Sequence, residues 1–259
     1  VLARLDHPNL PKVSDFFSEG PRDYLVMDYV PGKDLRERML QARRDKTFLS
    51  ENEVIRWAVQ IADALNYLHN QEPAIIHRDI KPSNLKITPS GLIKLVDFGL
   101  VKILAPNEIT ITIIQGQGTA LYTPLEQYGG DDAHTEVRAD IFSFGATLYH
   151  LLTNEPPAES RKRFLDTRSL TRPREINPGI NIHVEKAILW AMSLHPDDRP
   201  KNVIEFRDAL IGKHESPERT DEKRSSFDIP AFSIFSQEQI AGFIALGLFL
   251  IGLVSTLIR

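Results

Sequence analysis

The 259-residue sequence contains no cysteine and has no excess of positive charge. Without cysteine it cannot form disulfides, thiolate metal sites or a cysteine nucleophile, and this composition fits a reducing compartment. Its 31 Lys and Arg residues against 35 Asp and Glu residues give a net charge of −4, so we expect no nucleic-acid partner. With 42% hydrophobic and 25% charged residues, the composition is that of a globular protein with a sizeable core.

The N-terminus also lacks the features of a secretory signal. The chain begins with Val1, which is followed by neither a basic region nor an apolar region of the kind found in signal peptides. Because the first residue is not Met, we expect the sequence to begin inside a longer chain.

Polar residues are almost absent from the last segment of the chain. Residues 240–258 are 19 residues without a charge, of which only Ser255 and Thr256 are markedly polar. As a helix this segment would be about 28 Å long, close to the hydrocarbon thickness of a bilayer, about 30 Å. It predicts a single transmembrane helix. A buried core helix is the alternative, although core helices usually keep one polar face.

The segment before this helix is polar and mixed in charge. Residues 213–226 contain almost nothing to bury, so we predict a flexible juxtamembrane linker over 213–239. Within the predicted helix, Ala241 with Ala245 and Gly252 with Thr256 have a small-xxx-small spacing that can bring two helices together in a homodimer. Small residues that merely face lipid are the alternative.

The region upstream of the linker is predicted to be mainly helical. Residues 50–53, Ser-Glu-Asn-Glu, form a capping box, and apolar residues then recur at helical spacing as far as His69 or Asn70. Residues 140–152 and 184–194 are apolar segments of helical length. The first is apolar on most sides, which predicts a central helix.

A β-hairpin is predicted between these helices, and chemistry-bearing side chains stand at its open end. The apolar runs 85–87 and 92–96 flank Thr-Pro-Ser-Gly, whose Pro and Gly suit a type I turn. Antiparallel pairing would bring Asn84, just before the first strand, beside Asp97, just after the second. Asp79 and Lys81 lie in the preceding loop. Oxygen ligands of this kind suit Mg²⁺, which completes its shell with substrate phosphates and water.

These residues carry a resemblance to a known family. His-Arg-Asp-Ile-Lys-Pro-Ser-Asn at 77–84, followed 13 residues after Asn84 by Asp-Phe-Gly beginning at Asp97, resembles the catalytic loop and metal motif of bacterial eukaryotic-like serine/threonine protein kinases. Further expected pieces are the hinge strand 24–30, Gly118 with Thr119, residues 140–145 and Arg199 with Pro200. The resemblance covers about residues 1–212.

The resemblance implies an α+β, protein-kinase-like fold. We expect a remnant of the β N-lobe and the hinge at 1–30, a mainly helical C-lobe at 31–212, the linker at 213–239 and one C-terminal transmembrane helix at 240–258. The kinase body would then face the cytoplasm of a bacterial cell whose membrane the chain spans once. The implied activity is transfer of the ATP γ-phosphate to protein Ser and Thr hydroxyls.

The resemblance also implies roles for single residues. Asp79 would accept or orient the substrate hydroxyl, Lys81 would steady the γ-phosphate, and Asn84 and Asp97 would hold Mg²⁺. We expect five further residues to form the adenine pocket: Met27, Asp28, Tyr29, Val30 and Lys86. His77, Asp140, Glu126 and Arg199 are expected to have structural roles.

A regulatory role is expected for the segment after Asp97. An Arg beside a catalytic Asp can pair with a phosphothreonine and order such a loop, so we expect Arg78 to pair with phosphorylated Thr110 or Thr112. Thr119 is expected to contact the catalytic groups instead.

The sequence departs from the family at several points. It contains no glycine-rich loop and no strand lysine paired with a helix glutamate, has Leu125 where Pro is usual, and has Lys86 where an apolar residue is frequent. Because the chain opens at the exit of the family's N-lobe helix, we expect the glycine-rich loop and the strand lysine to belong to a segment upstream of Val1, without which this chain would be inactive as given. The alternative to such a truncated kinase is a catalytically inactive scaffold or binding module.

Overall fold

The computed structural model describes residues 4–20, 22–97, 102–103, 120–128 and 136–217. The predicted transmembrane helix, most of the linker, Phe98, Gly118 and the three threonines 110, 112 and 119 lie outside these ranges. In the described part, no helix combines the length and the apolarity that a membrane crossing requires.

The described chain begins with three strands and two helices, continues with four further strands and ends with five helices. The strands are β1 (Val13–Glu19), β2 (Arg22–Met27), β3 (Lys33–Asp34), β4 (Ile75–Ile76), β5 (Leu85–Ile87), β6 (Ile93–Leu95) and β7 (Lys102–Ile103). The helices are α1 (Leu35–Arg44), α2 (Glu51–His69), α3 (Val137–Thr153), α4 (Ser160–Leu165), α5 (Pro173–Ile176), α6 (Ile182–Ala191) and α7 (Val203–Leu210). Single 3₁₀ turns occur at 82–84, 125–128, 167–169 and 196–198.

Within the described ranges, the strands form three small antiparallel sheets. β1 pairs with β2, β5 lies between β3 and β6, and β4 pairs with β7. On the first sheet Phe17 stacks on its cross-strand partner Tyr24 with ring centroids 5.1 Å apart, although both rings stay partly exposed. β2 ends at Met27, earlier than the predicted strand 24–30, and the chain turns at Gly32 with φ +108°.

The predicted hairpin is present at β5 and β6. Leu85 faces Leu95 and Ile87 faces Ile93 across the pair. In the connecting turn the N–H of Gly91 donates to the carbonyl of Thr88 at 2.9 Å. The structure therefore has the hairpin geometry that local turn chemistry predicts.

The predicted capping box does not form at the start of α2. Ser50 is the N-cap residue, but its side chain caps nothing, and the N–H of Glu53 donates to the Ser50 carbonyl instead. The Glu53 carboxylate accepts from Arg38 at 3.2 Å, and this contact between helices replaces the local one. The end of α2 at His69 agrees with the prediction.

Helix α3 is the centre of the helical body, as its apolar surface predicts. Almost every residue from Ala139 to Thr153 is buried, and α3 packs against α2, α6 and α7. Gly145 permits the approach to α6, because a Cβ there would lie 2.9 Å from the Cβ of Ala191. The edge of Phe144 meets the ring of Phe206 on α7, with centroids 5.3 Å apart.

Candidate active site

The open end of the hairpin brings the predicted catalytic loop against the start of the Asp97 motif. The 3₁₀ turn Pro82–Asn84 leads into β5, and the N–H of Val96 donates to the carbonyl of Asn84 at 2.9 Å. Asn84 is buried, whereas Asp97 is exposed. Sequence position alone predicted this neighbourhood, because the two residues flank paired strands.

The Asp79 carboxylate is the centre of a hydrogen-bonded cluster. Lys81 Nζ donates to its two oxygens at 2.9 and 2.7 Å, and Asn84 Nδ2 donates to Asp79 Oδ2 at 2.8 Å and to its backbone carbonyl at 2.8 Å. Only 6% of Asp79 is exposed. The loop thus collects one carboxylate, one ammonium and one amide in a small volume, with their orientations set by one another.

Helix α3 supports the predicted catalytic loop, residues 77–84, through two of its side chains. The buried carboxylate of Asp140 accepts from the backbone N–H groups of His77 and Arg78 at 2.9 and 2.8 Å, and contacts His69 Nε2 at 2.8 Å. Two turns later in the same helix, Thr147 Oγ1 donates to the carbonyl of Ile80 at 3.1 Å. Asp140 therefore braces the catalytic loop, the structural role that we expected for it.

Burial and hydrogen bonding decide the charge of the groups under the loop. Burial alone would raise the pKa of Asp140, but its hydrogen bond to His69 and the backbone donors more than offset this and lower the pKa below its usual value. Burial lowers the pKa of His77, although Asp140, Asp79 and Asp97 act in the opposite direction. Asp140 is therefore ionised and His77 neutral at pH 7.

Two residues at the site have left-handed backbone conformations. Arg78 has φ +68° and Asp97 has φ +70°. Residues other than glycine adopt this region at a cost of about 1–2 kcal/mol, and such strain concentrates at functional sites. Here it turns the chain immediately before Asp79 and at Asp97, so that both carboxylates project from sharp bends.

The oxygen atoms of Asn84 and Asp97 suit a magnesium ion better than a metal ion whose ligands all come from the protein. Within the described residues, no group of three or more His, Cys, Asp or Glu side chains is arranged to hold a metal. Mg²⁺ needs few protein ligands, since substrate phosphates and water complete its octahedral shell. The carboxylate of Asp97 and the Asn84 Oδ1, which also accepts from Ser83 Oγ at 3.3 Å, are suitable oxygens.

Comparison with known proteins agrees with this geometry. The sequence profile described as the protein kinase domain matches residues 1–220. The chain belongs to the protein kinase family. It is 35% identical over 218 residues to a probable serine/threonine-protein kinase of Clostridium acetobutylicum, covering 81% of this chain and 31% of that protein.

Two further kinases show the same relation. Serine/threonine-protein kinase PknB of Mycobacterium tuberculosis is 33% identical over 240 residues, with 86% of this chain and 37% of PknB covered. A solved structure titled PpkA-294 apo form matches with a TM-score of 0.63 and 26% identity, covering 81% of this chain and 70% of that one. The chain thus spans about a third of the length of these curated relatives.

The predicted adenine pocket of the kinase domain lies at the end of β2. The backbone N–H of Asp28 donates to the backbone carbonyl of Lys12 at 2.9 Å. Among the described residues, we find no partner for the Asp28 carbonyl or the Val30 N–H. Tyr29 is 85% exposed and lies under Lys86, whose Nζ is 5.5 Å from the ring centroid. Met27 is partly buried. Their role in nucleotide binding stays a prediction.

Glu126, which follows the segment with the predicted regulatory threonines, is tied to the helical body by a buried ion pair. Arg199 donates to the carboxylate of Glu126 at 2.6 and 3.0 Å and to backbone carbonyls of Arg138, Ser193 and Leu194. Its guanidinium also lies over the ring of Phe142, 4.9 Å from the centroid. This contact gives Glu126 the structural role that we expected, despite Leu125 beside it.

Sequence reasoning missed several residues that position the site. Among them are His69 and Thr147, described above, and Asn9, which donates to the carbonyl of Ile93 at 2.7 Å and to Gln60 at 3.1 Å. These contacts hold β6 against α2. No local pattern could have revealed them, because each joins residues far apart in the sequence.

Proposed function

We propose that this protein is a serine/threonine kinase that transfers the γ-phosphate of ATP to hydroxyl groups of protein substrates. The observation that carries the proposal is the cluster of Asp79, Lys81 and Asn84 beside Asp97. Phosphoryl transfer depends chiefly on positioning and on neutralising charge, so a few fixed polar groups are sufficient.

Each residue of the cluster has a distinct task in this proposal. The Asp79 carboxylate accepts a hydrogen bond from the substrate hydroxyl and takes its proton as the new P–O bond forms and the bond between the γ-phosphorus and ADP breaks, with ADP as the leaving group. Lys81 neutralises charge on the phosphate oxygens. Asn84 and Asp97 would hold Mg²⁺, which when bound neutralises charge on the ATP phosphates. Lys81 and Thr119 are the residue types that the resemblance associates with Ser and Thr acceptors.

We also propose that the kinase body is anchored to the bacterial membrane by residues 240–258 and faces the cytoplasm, where ATP is present. This proposal rests on the sequence of that segment alone. Protein substrates are the expected partners, and a homodimer is compatible with the small residues of the predicted helix.

Substitution of the two aspartates tests the assignment of the site. In a radiolabelled-ATP assay on a chain extended upstream of Val1, with a generic protein acceptor, we expect Asp79→Asn to lower the transfer rate roughly 10²- to 10⁴-fold while ATP still binds with Mg²⁺. We expect Asp97→Asn to abolish transfer and to weaken Mg²⁺-dependent ATP binding measured by calorimetry. Asp63→Asn, a change at an exposed carboxylate of α2, is the control.

Three outcomes would contradict the proposal. Full turnover by Asp79→Asn would show that the Asp79 carboxylate takes no part in catalysis. Radiolabel found only on tyrosine would show that the acceptor is not a Ser or Thr hydroxyl. If a chain extended upstream of Val1 to include a glycine-rich loop neither binds Mg²⁺ with ATP nor transfers phosphate, the scaffold alternative is correct.

A further inference from the structure

A cleft of about 630 Å³ opens at the turn end of the β5–β6 hairpin. Its walls come from β3, α1, the first half of α2 and the hairpin turn Thr88–Gly91. The predicted catalytic residues stand at the opposite end of the same hairpin, about 10 Å away along a three-residue strand. The cleft is therefore a separate feature of the fold, to which the proposed reaction assigns no task.

The cleft has a defined wall where the chain enters β3. Gly32, with φ +108°, brings this segment so close to β5 that a Cβ would lie 1.9 Å from the carbonyl oxygen of Ile87. Only glycine fits both the conformation and the space. Lys33, the next residue, pairs with Ile87 and lines the cleft from this wall.

Positive charge dominates the side chains that line the cleft. Lys33 and Arg56 are exposed, and neither forms an ion pair with any residue in the described part of the chain. Arg38 is paired with Glu53 at 3.2 Å, and Glu53 is the one acidic residue lining the cleft. The lining thus has a net positive charge and two cationic groups that no carboxylate of the described residues neutralises.

The floor of the cleft adds neutral hydrogen-bond donors. Only 5% of Trp57 is exposed. Its indole N–H can only donate a hydrogen bond, and it has no acceptor among the described residues. Gln60 Oε1 accepts from the Ile93 N–H at 3.0 Å and from Asn9 at 3.1 Å, which fixes the amide orientation. Its Nε2 therefore remains available to the cleft.

We propose that this cleft is a docking site for an acidic, extended peptide segment of a protein partner. Ammonium, guanidinium, indole and amide N–H groups are donors, and their shared complement is a carboxylate-rich ligand. The partly buried side chain of Ile87 and the small exposed edge of Trp57 supply apolar contact of the kind that peptide-binding grooves use. The occupant needs no phosphoryl transfer, so this inference goes beyond the proposed function.

A direct binding experiment tests the proposal with the full 259-residue chain in detergent. The probe is a fluorescein-labelled peptide of about ten residues, long enough to cross the cleft when extended, in which Glu alternates with Leu and Ser. A matched peptide has Gln at every Glu position. We expect fluorescence anisotropy to show binding of the Glu peptide, at least tenfold tighter than the Gln peptide.

Charge reversal locates the binding site. We expect Lys33→Glu with Arg56→Glu to weaken binding roughly ten- to a hundredfold, since charge-assisted hydrogen bonds are lost. Arg174→Glu with Lys186→Glu, exposed residues on α5 and α6, makes the same change in net charge elsewhere and should leave binding unchanged. Trp57→Phe keeps an aromatic ring and should weaken binding several-fold, with circular dichroism verifying the fold.

Several results would overturn the proposal. Equal affinity for the Glu and Gln peptides would show that charge does not select the ligand. Equal loss in both charge-reversal pairs would show a non-specific effect. Self-association that disappears in the Lys33→Glu and Arg56→Glu variant would assign the cleft to a second copy of this chain. None of these results depends on kinase activity, so they are distinguishable from failure of the proposed function.

Discussion

His150 on α3 shows how burial and neighbouring cations act on a single side chain. A hydrogen bond of 2.7 Å joins its Nδ1 to the hydroxyl of Tyr122. Burial, followed by the positive charges of Arg43 and Arg36, lowers the pKa of His150 from 6.5 to about 4. Burial also raises the pKa of Tyr122. The pair is therefore uncharged at neutral pH.

The lowered pKa of His150 predicts a pH dependence of stability. Below pH 6.5 the unfolded chain binds a proton at this residue that the folded chain does not bind, so the folded state loses stability as the pH falls from about 6.5 to about 4. In His150→Gln this contribution is absent. We expect the difference in free energy of unfolding between wild type and variant to shrink over this window.

Urea denaturation at a series of pH values measures this difference. His183→Gln, at an exposed position of α6, is the control for removing a histidine. A difference between wild type and His150→Gln that stays constant from neutral pH to pH 4 would show that His150 does not titrate in the way its surroundings imply.

At the scale of elements, helix α3 acts as the support on which the catalytic loop rests. Asp140 binds two backbone N–H groups of the loop and the side chain of His69 at the end of α2. These contacts join two helices and the loop through one carboxylate that is fully buried. The position of Asp79 therefore depends on a residue 61 positions later in the chain.

We expect Asp140→Asn to destabilise the fold by about 2–4 kcal/mol. The amide keeps the shape of the side chain, but its NH₂ group cannot accept from the loop N–H groups, so at least one buried donor loses its acceptor. The denaturation midpoint in urea should fall with little change in the dependence on urea concentration.

Asp63→Asn is the matched control for this prediction. Asp63 is also an aspartate within a helix–helix contact, but it is half-exposed and pairs with Arg207 at 3.4 Å, so its loss should cost no more than about 1 kcal/mol. A similar small effect for both variants would mean that the loop does not depend on the Asp140 carboxylate.

At the scale of the whole molecule, the chain combines a globular kinase domain with an uncharged C-terminal segment. The domain has a continuous hydrophobic core that runs from Leu5 to Leu210, whereas residues 240–258 carry no charge at all. An apolar segment of this length is typical of membrane-spanning helices, in which every backbone polar group is hydrogen-bonded within the helix.

We expect the full chain to remain in the membrane fraction after alkaline carbonate extraction, and a chain ending at Gln239 to be released. Leu248→Arg with Ile251→Arg keeps the length of the chain but places charges at the centre of the segment, at about 2.5–3.5 kcal/mol each, and should also release it. Release of the unaltered chain would contradict the proposed anchor.

The features that could be read from the sequence are those that depend on neighbouring residues. The β5–β6 turn, the end of α2 at His69 and the adjacency of Asn84 and Asp97 follow from turn chemistry, periodicity and strand pairing, which operate over a few residues. The motif at 77–84 indicated the family for the same reason, since its residues are contiguous.

Tertiary structure decided which distant groups meet. The Glu53 side chain pairs with Arg38 on α1 rather than completing a capping box, and Asp140 binds a loop 62 residues away. The donor-rich cleft beside Lys33 and Trp57 likewise joins residues from four elements. Local propensities differ by less than about 1 kcal/mol per residue, so the larger energies of burial and of satisfying buried charges select these partners, and they exist only when the chain is folded.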